Sequence, residues 1–475
     1  FEKVIKIDPN HINALNNLGD IFNKLNENQK AKDCFEKVIK IDPNYVNALN
    51  NLGVVFKALK EYQKSINCFE KIIKINPNDE DVHNNLGGVF QRLGENQKAK
   101  SYYERAIIIN PNHTYALNNL GGVFRDLGEP QKAKSYYERA IEIDPNYVAA
   151  LNNLGGVFLD LGEPQKAKSY YEKAIEIDPT YEDAHNNLSA LHIRGLDNLD
   201  KAISSSNKTL KMHHKNSKFI NQSVPLFRLK HDVEQAQYLS SKNYKIDGID
   251  EFQKIGDEIL SRKENKENKN DFNKKILLNK NEIDLLLPFY KSDHTYQTKT
   301  VSGSCINPNK NWQEVEDEYL NSSNQIMYID NFLSDEALIE LREFCLVSKV
   351  WNKEYQNKYL GAFSEVGFIS PVHLQIAIDL QQKLPKLFGL HNLGKFWGFK
   401  YDTTLGGGIN LHADFAIHNL NFWITPDEYN NDKNSGGLKV YDAPAPEHWS
   451  FKEYNNDNSK IYDFLKENNA NCTNV

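Results

Sequence analysis

The residues best placed to do chemistry in this sequence are His412 and Asp414, in the segment LHADFA at 411–416. Two residues apart on a strand, their side chains leave the same face. One imidazole and one carboxylate on a common face are two corners of a 2-His-1-carboxylate iron site. An H-x-D pattern also arises by chance, and the competing reading is a surface His and Asp beside a glycine turn.

The other chemical pattern is neutral. Asparagine pairs recur along the first two-fifths of the chain. One register holds Asn17, Asn51, Asn85, Asn119, Asn153 and Asn187, the other Asn16, Asn50, Asn84, Asn118, Asn152 and Asn186. An amide both donates and accepts, so it can pair with a peptide unit whatever side chain that unit carries. Asparagine is a mediocre helix former, yet it occupies twelve equivalent positions. A peptide-gripping row explains that expense; bonding to neighbouring helix backbone, or simple exposure to water, is the alternative.

The elements that must position these amides repeat. LNNLG begins at Leu15, Leu49, Leu117 and Leu151, HNNLG at His83 and HNNLS at His185, an interval of 34 residues each time. Prolines at Pro9, Pro43, Pro77, Pro111, Pro145 and Pro179 keep the same interval. In the unit 114–147, Leu117, Leu120, Gly121 and Phe124 have helical spacing, and Ala133, Tyr137 and Ala140 line a second helix. Gly121 leaves room for that second helix, and Pro145 ends it, with Asp144 and Asn146 supplying turn chemistry.

These positions resemble the tetratricopeptide repeat, with units at 12–45, 46–79, 80–113, 114–147 and 148–181, the tail of an earlier unit at 1–11, and a degenerate unit from 182. In families this resembles, including the repeat arm of O-GlcNAc transferase, one asparagine row lines the concave groove and holds peptide backbone. The resemblance therefore implies a peptide-binding groove carrying Asn17, Asn51, Asn85, Asn119, Asn153 and Asn187. The basic clamp that reads chaperone C-termini is not expected, because the first-helix positions it needs are mostly Asn and Gly. His83, His113 and His185 are isolated, and packing suits them better than metal ligation.

Composition sets outer limits. The chain has 475 residues, 40% hydrophobic and 25% charged, with 57 basic and 64 acidic residues and a net charge of −7. That balance argues against nucleic acid as a general partner. The five cysteines, Cys34, Cys68, Cys305, Cys345 and Cys472, are scattered and odd in number, which predicts a reducing, cytoplasmic setting without a disulfide framework. No apolar run is long enough to predict a membrane-spanning helix. Phe1 falls inside a repeat, so the sequence reads as part of a longer chain.

Three regions follow: a repeat solenoid at 1–215, a helical cap and charged linker at 216–325, and an α+β domain at 326–475. LKHDVEQAQYL and IDEFQKIGDEIL read as helices, and KENKENKNDFNKK at 263–275 as a linker or exposed loop. From QIMYID at 325–330, a strand, a Ser334-capped helix and a helix near 372–388 are predicted. Short strands then follow at GKFWGFKY, GGGINLHADFA, HNLNFWIT and GGLKVYDAPAP, with a short helix at IYDFLKENN and an incipient strand beyond it.

With Tyr401 eleven residues before His412, SGGLKVY from Ser435 and the opening IDNFLSDEALIEL, this region resembles the prolyl-4-hydroxylase-like branch of the iron/2-oxoglutarate oxygenases. The resemblance implies an incomplete double-stranded β-helix, or jelly roll. His412 and Asp414 would bind Fe(II), and Tyr401 would touch 2-oxoglutarate. The family also needs a second His and a Lys or Arg on later strands. Only 34 residues follow Tyr441, and His418 and His448 are badly placed, so those groups are expected beyond residue 475 and the present chain is expected to be inactive alone. The functions in play are a hydroxylase whose repeat arm presents a protein substrate, or a scaffold with a degenerate or truncated barrel. A glycosyltransferase lacks support, since no nucleotide-sugar loop follows residue 215.

Overall fold

The computed structural model describes residues 1–25, 27–195, 199–216, 223–262, 275–322, 327, 329–354, 359–391, 393–394, 396–401, 439–441, 458–468, 470 and 472–474. It divides into two compact units, Phe1–Ala184 and His185–Val475.

The first unit is built from helix pairs. After α1 (Glu2–Ile7) come α2 (Ile12–Lys24) and α3 (Asn28–Ile41), α4 (Val46–Ala58) and α5 (Tyr62–Ile75), α6 (Glu80–Arg92) and α7 (Asn96–Ile109), α8 (Thr114–Asp126) and α9 (Pro130–Ile143), and α10 (Val148–Asp160) and α11 (Pro164–Ile177). The glycine of each first helix faces an aromatic ring of the second. A Cβ at Gly19, Gly53, Gly87, Gly121 or Gly155 would lie 2.6–2.8 Å from Phe35, Phe69, Tyr103, Tyr137 or Tyr171, so no other residue allows this approach. α4, α6, α8 and α10 turn into their second helices through a left-handed residue, Lys60, Gly94, Gly128 and Gly162 in turn. Asp144 then caps α9, and its carboxylate accepts the Asn146 N–H at 3.0 Å, closing the turn around Pro145.

The boundary between units falls inside α12 (Glu182–Gly195). The second unit continues with α13 (Leu199–Asn216), β1 (Ser223–Pro225), α14 (Leu226–Ser241), α15 (Ile249–Ser261), β2 (Lys275–Leu277) and α16 (Lys280–Lys291). β1 and β2 pair antiparallel, and Val233, Leu239, Phe252, Leu286 and Phe289 share one core. The helices expected at LKHDVEQAQYL and IDEFQKIGDEIL are α14 and α15. Of the charged run at 263–275, only Lys275 is described, and it opens β2.

A second core joins Val301, Ile306, Trp312, Leu341 and Ile376. It gathers α17 (Trp312–Asn321), α18 (Asp335–Val347), α19 (Pro371–Lys383) and the single turn α20 (Pro385–Phe388). Ser334 caps α18, its side chain accepting the Ala337 N–H at 3.4 Å. The helix expected over 372–388 is interrupted at Leu384, which takes φ −126° and ψ 61° because Pro385 follows it. The strand expected at 325–330 is absent among its described residues; an isolated bridge pairs Leu333 with Ile306 instead.

The strands of the second half are short. β3 (Lys353–Glu354), β4 (Tyr359–Phe363) and β5 (Trp397–Tyr401) form one antiparallel sheet in that order, with Tyr359 opposite Tyr401 and Phe363 opposite Trp397. β6 (Lys439–Tyr441) pairs with β7 (Cys472–Asn474), and α21 (Asn458–Glu467) lies between them in the chain. The expected strands carrying GGGINLHADFA and HNLNFWIT lie outside the described residues. Among the described residues the sheets have two or three strands each and do not compose a jelly roll.

Candidate peptide-binding face of the repeats

First helices of neighbouring repeats pack on one another, α2 on α4, α4 on α6, α6 on α8 and α8 on α10, more closely than any second helix packs on the next second helix. A stack drawn together on one side curves toward that side, so the first helices line the concave face of the repeat unit.

The asparagine rows run along this face and bond to each other. Asn85 Nδ2 donates to Asn50 Oδ1 at 3.1 Å, Asn119 Nδ2 to Asn84 Oδ1 at 3.0 Å, and Asn153 Nδ2 to Asn118 Oδ1 at 3.0 Å. The donors belong to the row containing Asn17 and the acceptors to the row before it. Asn118 and Asn152 are buried, and Asn51, Asn85, Asn119 and Asn153 are half-buried. Each bond fixes which way the donor's amide faces and uses one of its two N–H groups. At Asn119 the side-chain oxygen also lies 3.5 Å from Asn118 Nδ2. The ladder does not reach the first junction, where Asn17 is exposed and Asn16 Oδ1 has no partner among the described residues. Asn187 stands on α12 in the second unit.

Two helical turns further along each first helix runs a second row that the sequence reading missed. At three successive junctions a long polar side chain lies over a glycine of the next repeat. A Cβ on Gly88 would stand 3.6 Å from Lys57 Nζ, on Gly122 3.7 Å from Gln91 Nε2, and on Gly156 2.7 Å from Arg125 Nη1. The signal was in the sequence: the glycine after the packing glycine recurs only where the preceding repeat carries one of these long side chains.

The isolated histidines do structural work. His113 Nδ1 accepts the Ala116 N–H at 3.2 Å, capping α8, which leaves the proton on Nε2 to donate to Asp81 at 3.1 Å. His83 is buried and its Nε2 bonds the Pro77 carbonyl at 3.0 Å; His185 is buried as well. Among the described residues no three His, Cys, Asp or Glu side chains converge on a metal-sized site. His412 and Asp414 lie outside the described residues, and Tyr401 closes β5. Cys34, Cys68, Cys305 and Cys345 are free thiols. No described helix is long and apolar enough to cross a membrane.

Tetratricopeptide-repeat family models match residues 12–45, 46–79, 79–146 and 117–180. Among solved structures, MamA is 27% identical, with 36% of this chain and 92% of that chain covered and a TM-score of 0.31. YrrB, described as a TPR protein with an unusual peptide-binding site, is 26% identical over 39% of this chain and 95% of its own, with a TM-score of 0.30. PilF of Pseudomonas aeruginosa is 22% identical over 43% of this chain and 93% of its own, with a TM-score of 0.37. No curated protein sequence matches the chain. Residues 12–180 are tetratricopeptide repeats, an all-α arm of protein-interaction type.

Proposed function

We propose that the repeat arm binds an extended polypeptide segment along the asparagine row Asn17, Asn51, Asn85, Asn119 and Asn153. The observation that carries this reading is the amide ladder. Asn85, Asn119 and Asn153 each spend one N–H on the preceding repeat. They thereby hold the remaining N–H and oxygen in fixed positions on the concave side. Rigid, evenly spaced donor–acceptor pairs suit a peptide backbone, since they bind without first losing rotamer freedom and without reading side chains. In a fluorescence-polarisation assay of the full chain against 12-residue peptides selected from a random library, the triple variant N85A/N119A/N153A should lose about a hundredfold in affinity with unchanged helicity. Unaltered affinity in that variant rejects the row as the binding surface.

A second reading adds an iron- and 2-oxoglutarate-dependent hydroxylase within 326–475, to which the arm presents a substrate. Element order favours it: Ser334-capped α18, then α19, then β5 ending on Tyr401, eleven residues before His412. Asp414 and His412 would hold Fe(II) and Tyr401 would contact 2-oxoglutarate, and the bound pair would supply the oxidising power. The part of the chain would be to orient substrate and exclude water. Isothermal titration of the full chain with Co(II) as a redox-inert probe tests the metal site. Binding that vanishes in Asp414→Ala supports the reading, and binding that Asp414→Ala leaves unchanged rejects Asp414 as a ligand.

A further inference from the structure

The three junctions that carry a long side chain over a glycine form an internal control, because the same geometry is answered differently at each. At the third, Arg125 meets Asp160, with Nε to Oδ2 at 2.5 Å and Nη2 to Oδ1 at 3.2 Å. At the second, Gln91 Nε2 donates to Asp126 Oδ2 at 3.4 Å. In both, the acid stands 35 residues after the long side chain, on the neighbouring first helix. At the first junction the residue 35 positions after Lys57 is Arg92. A carboxylate therefore fills this register twice, and a guanidinium takes its place once.

The consequence is an unanswered pair of cations. Among the described residues neither Lys57 nor Arg92 has a hydrogen-bond or ion-pair partner. Burial first, and then the neighbouring charge of Arg92, hold the Lys57 ammonium below the ordinary lysine pKa. Two like charges, one of them half-buried, gain more from an incoming anion than exposed lysines do, because water screens them less.

We propose that Lys57 and Arg92 form a subsite for a carboxylate side chain, Asp or Glu, of the peptide bound along the asparagine row. This rests on the peptide-binding reading of the concave face. The Lys57 ammonium lies over Gly88, three residues past Asn85, or about 4.5 Å along the helix. A peptide whose backbone is held by Asn85 reaches the two cations with the one or two methylenes of an acidic side chain. Gln91 and Arg125, which stand where Lys57 does in the next two repeats, each take a carboxylate partner, from Asp126 and Asp160.

The test uses the full chain and 12-residue peptides selected from a random library. Selected peptides should share an acidic residue at one position, and replacing it by its amide should weaken binding about tenfold. K57Q/R92Q should bind the acidic and amide peptides equally, at the affinity of the amide peptide for wild type. Arg92→Asp restores the missing internal acid, so it should also abolish the preference while raising the melting temperature, which guards against mere misfolding. N85A/N119A should weaken both peptides alike. An acid preference that survives in K57Q/R92Q, or selected peptides that depend on the asparagines yet show no acid preference, overturns the subsite and leaves the groove. Peptides indifferent to N85A/N119A overturn the groove reading, and the subsite with it.

Discussion

In the repeats, the buried polar side chains are Asn, Ser and His. Asn118 and Asn152 belong to the amide rows, and Ser65 donates to the Gly53 carbonyl at 2.7 Å. In the second unit Arg, Lys, Asp and Glu side chains are buried as well as Ser, Thr and Gln. Arg228 meets Asp232 at 2.6 Å and donates to the Trp351 carbonyl at 2.6 Å, and Lys349 reaches the Ser292 carbonyl at 2.9 Å and the Phe289 carbonyl. The asparagine bonds link adjacent repeats and the Ser65 bond stays within one, whereas Arg228 reaches a carbonyl 123 positions away. The repeat unit can lose one polar contact and keep its neighbours. The second unit has its connectivity concentrated in a few buried ions, where losing one partner strands the other.

The sharpest break of this comparison is Asp232→Ala. It leaves the buried Arg228 guanidinium without its carboxylate and should cost about 3–5 kcal/mol. In a calorimetric scan the transition of the second unit should drop while that of the repeats stays in place. Equal movement of both transitions would show that the units do not unfold separately.

Acid attacks the same asymmetry. Burial holds His373 down to about 3 and His214 down to about 4, the latter helped by the nearby Lys349 charge. The unfolded chain binds protons at these histidines below about 6.5, where the folded unit does not, so stability falls as pH falls from 6.5 toward 4 and then 3. The loss approaches roughly 1.4 kcal/mol per pH unit for each histidine well below 6.5 and amounts to about 2 kcal/mol for the pair between pH 6.5 and 5.5. His373 is packed against Phe344, Phe368 and Phe396, so His373→Phe should halve the slope in urea titrations at stepped pH.

Within the repeats, packing rather than charge is the weak point. Gly121→Ala places a methyl 2.8 Å from the Tyr137 ring and should cost about 2 kcal/mol. The cost should fall below about 0.5 kcal/mol when the same change is made in a Tyr137→Leu background, because the clashing atoms are gone.

What could be read in advance follows the same division. The Gly121–Tyr137 contact was legible because both residues lie within one 34-residue unit and the pattern recurs. Ser334 was legible as a cap because a cap is local. Asn279 was equally local: it accepts the Glu282 N–H while Glu282 bonds back to the Asn279 N–H. That N-x-x-E capping box stands in the sequence and opens α16, a helix the sequence reading did not place, with Pro288 inside it. The Arg228–Trp351 contact had no local signature at all. The amide ladder was half legible: the rows were evident, but their bonds join residues 35 apart, in the neighbouring repeat, and comparison within one unit cannot reveal them. The strand expected at 325–330 was a single short segment, and one segment does not supply the partner strand a ladder needs.

Lys57 is a place where the repeats resemble the second unit, a partly buried charge set beside another, here of like sign. If a ligand carboxylate is meant to complete it, the free protein bears the repulsion, and removing the charge should stabilise it. Lys57→Met keeps the stem that covers Gly88 and removes the ammonium, so it should raise stability by about 0.5 kcal/mol, the scale of a like-charge pair on helix surfaces. The sign of the pH dependence gives an independent check. A lysine whose pKa is lowered on folding destabilises the fold while protonated in both states, and stability rises with pH as the folded form releases its proton ahead of the unfolded chain. The wild type should therefore close the gap to Lys57→Met as pH approaches the unfolded lysine value near 10.4. A difference that persists unchanged across that window would assign the effect to packing of the methionine rather than to charge.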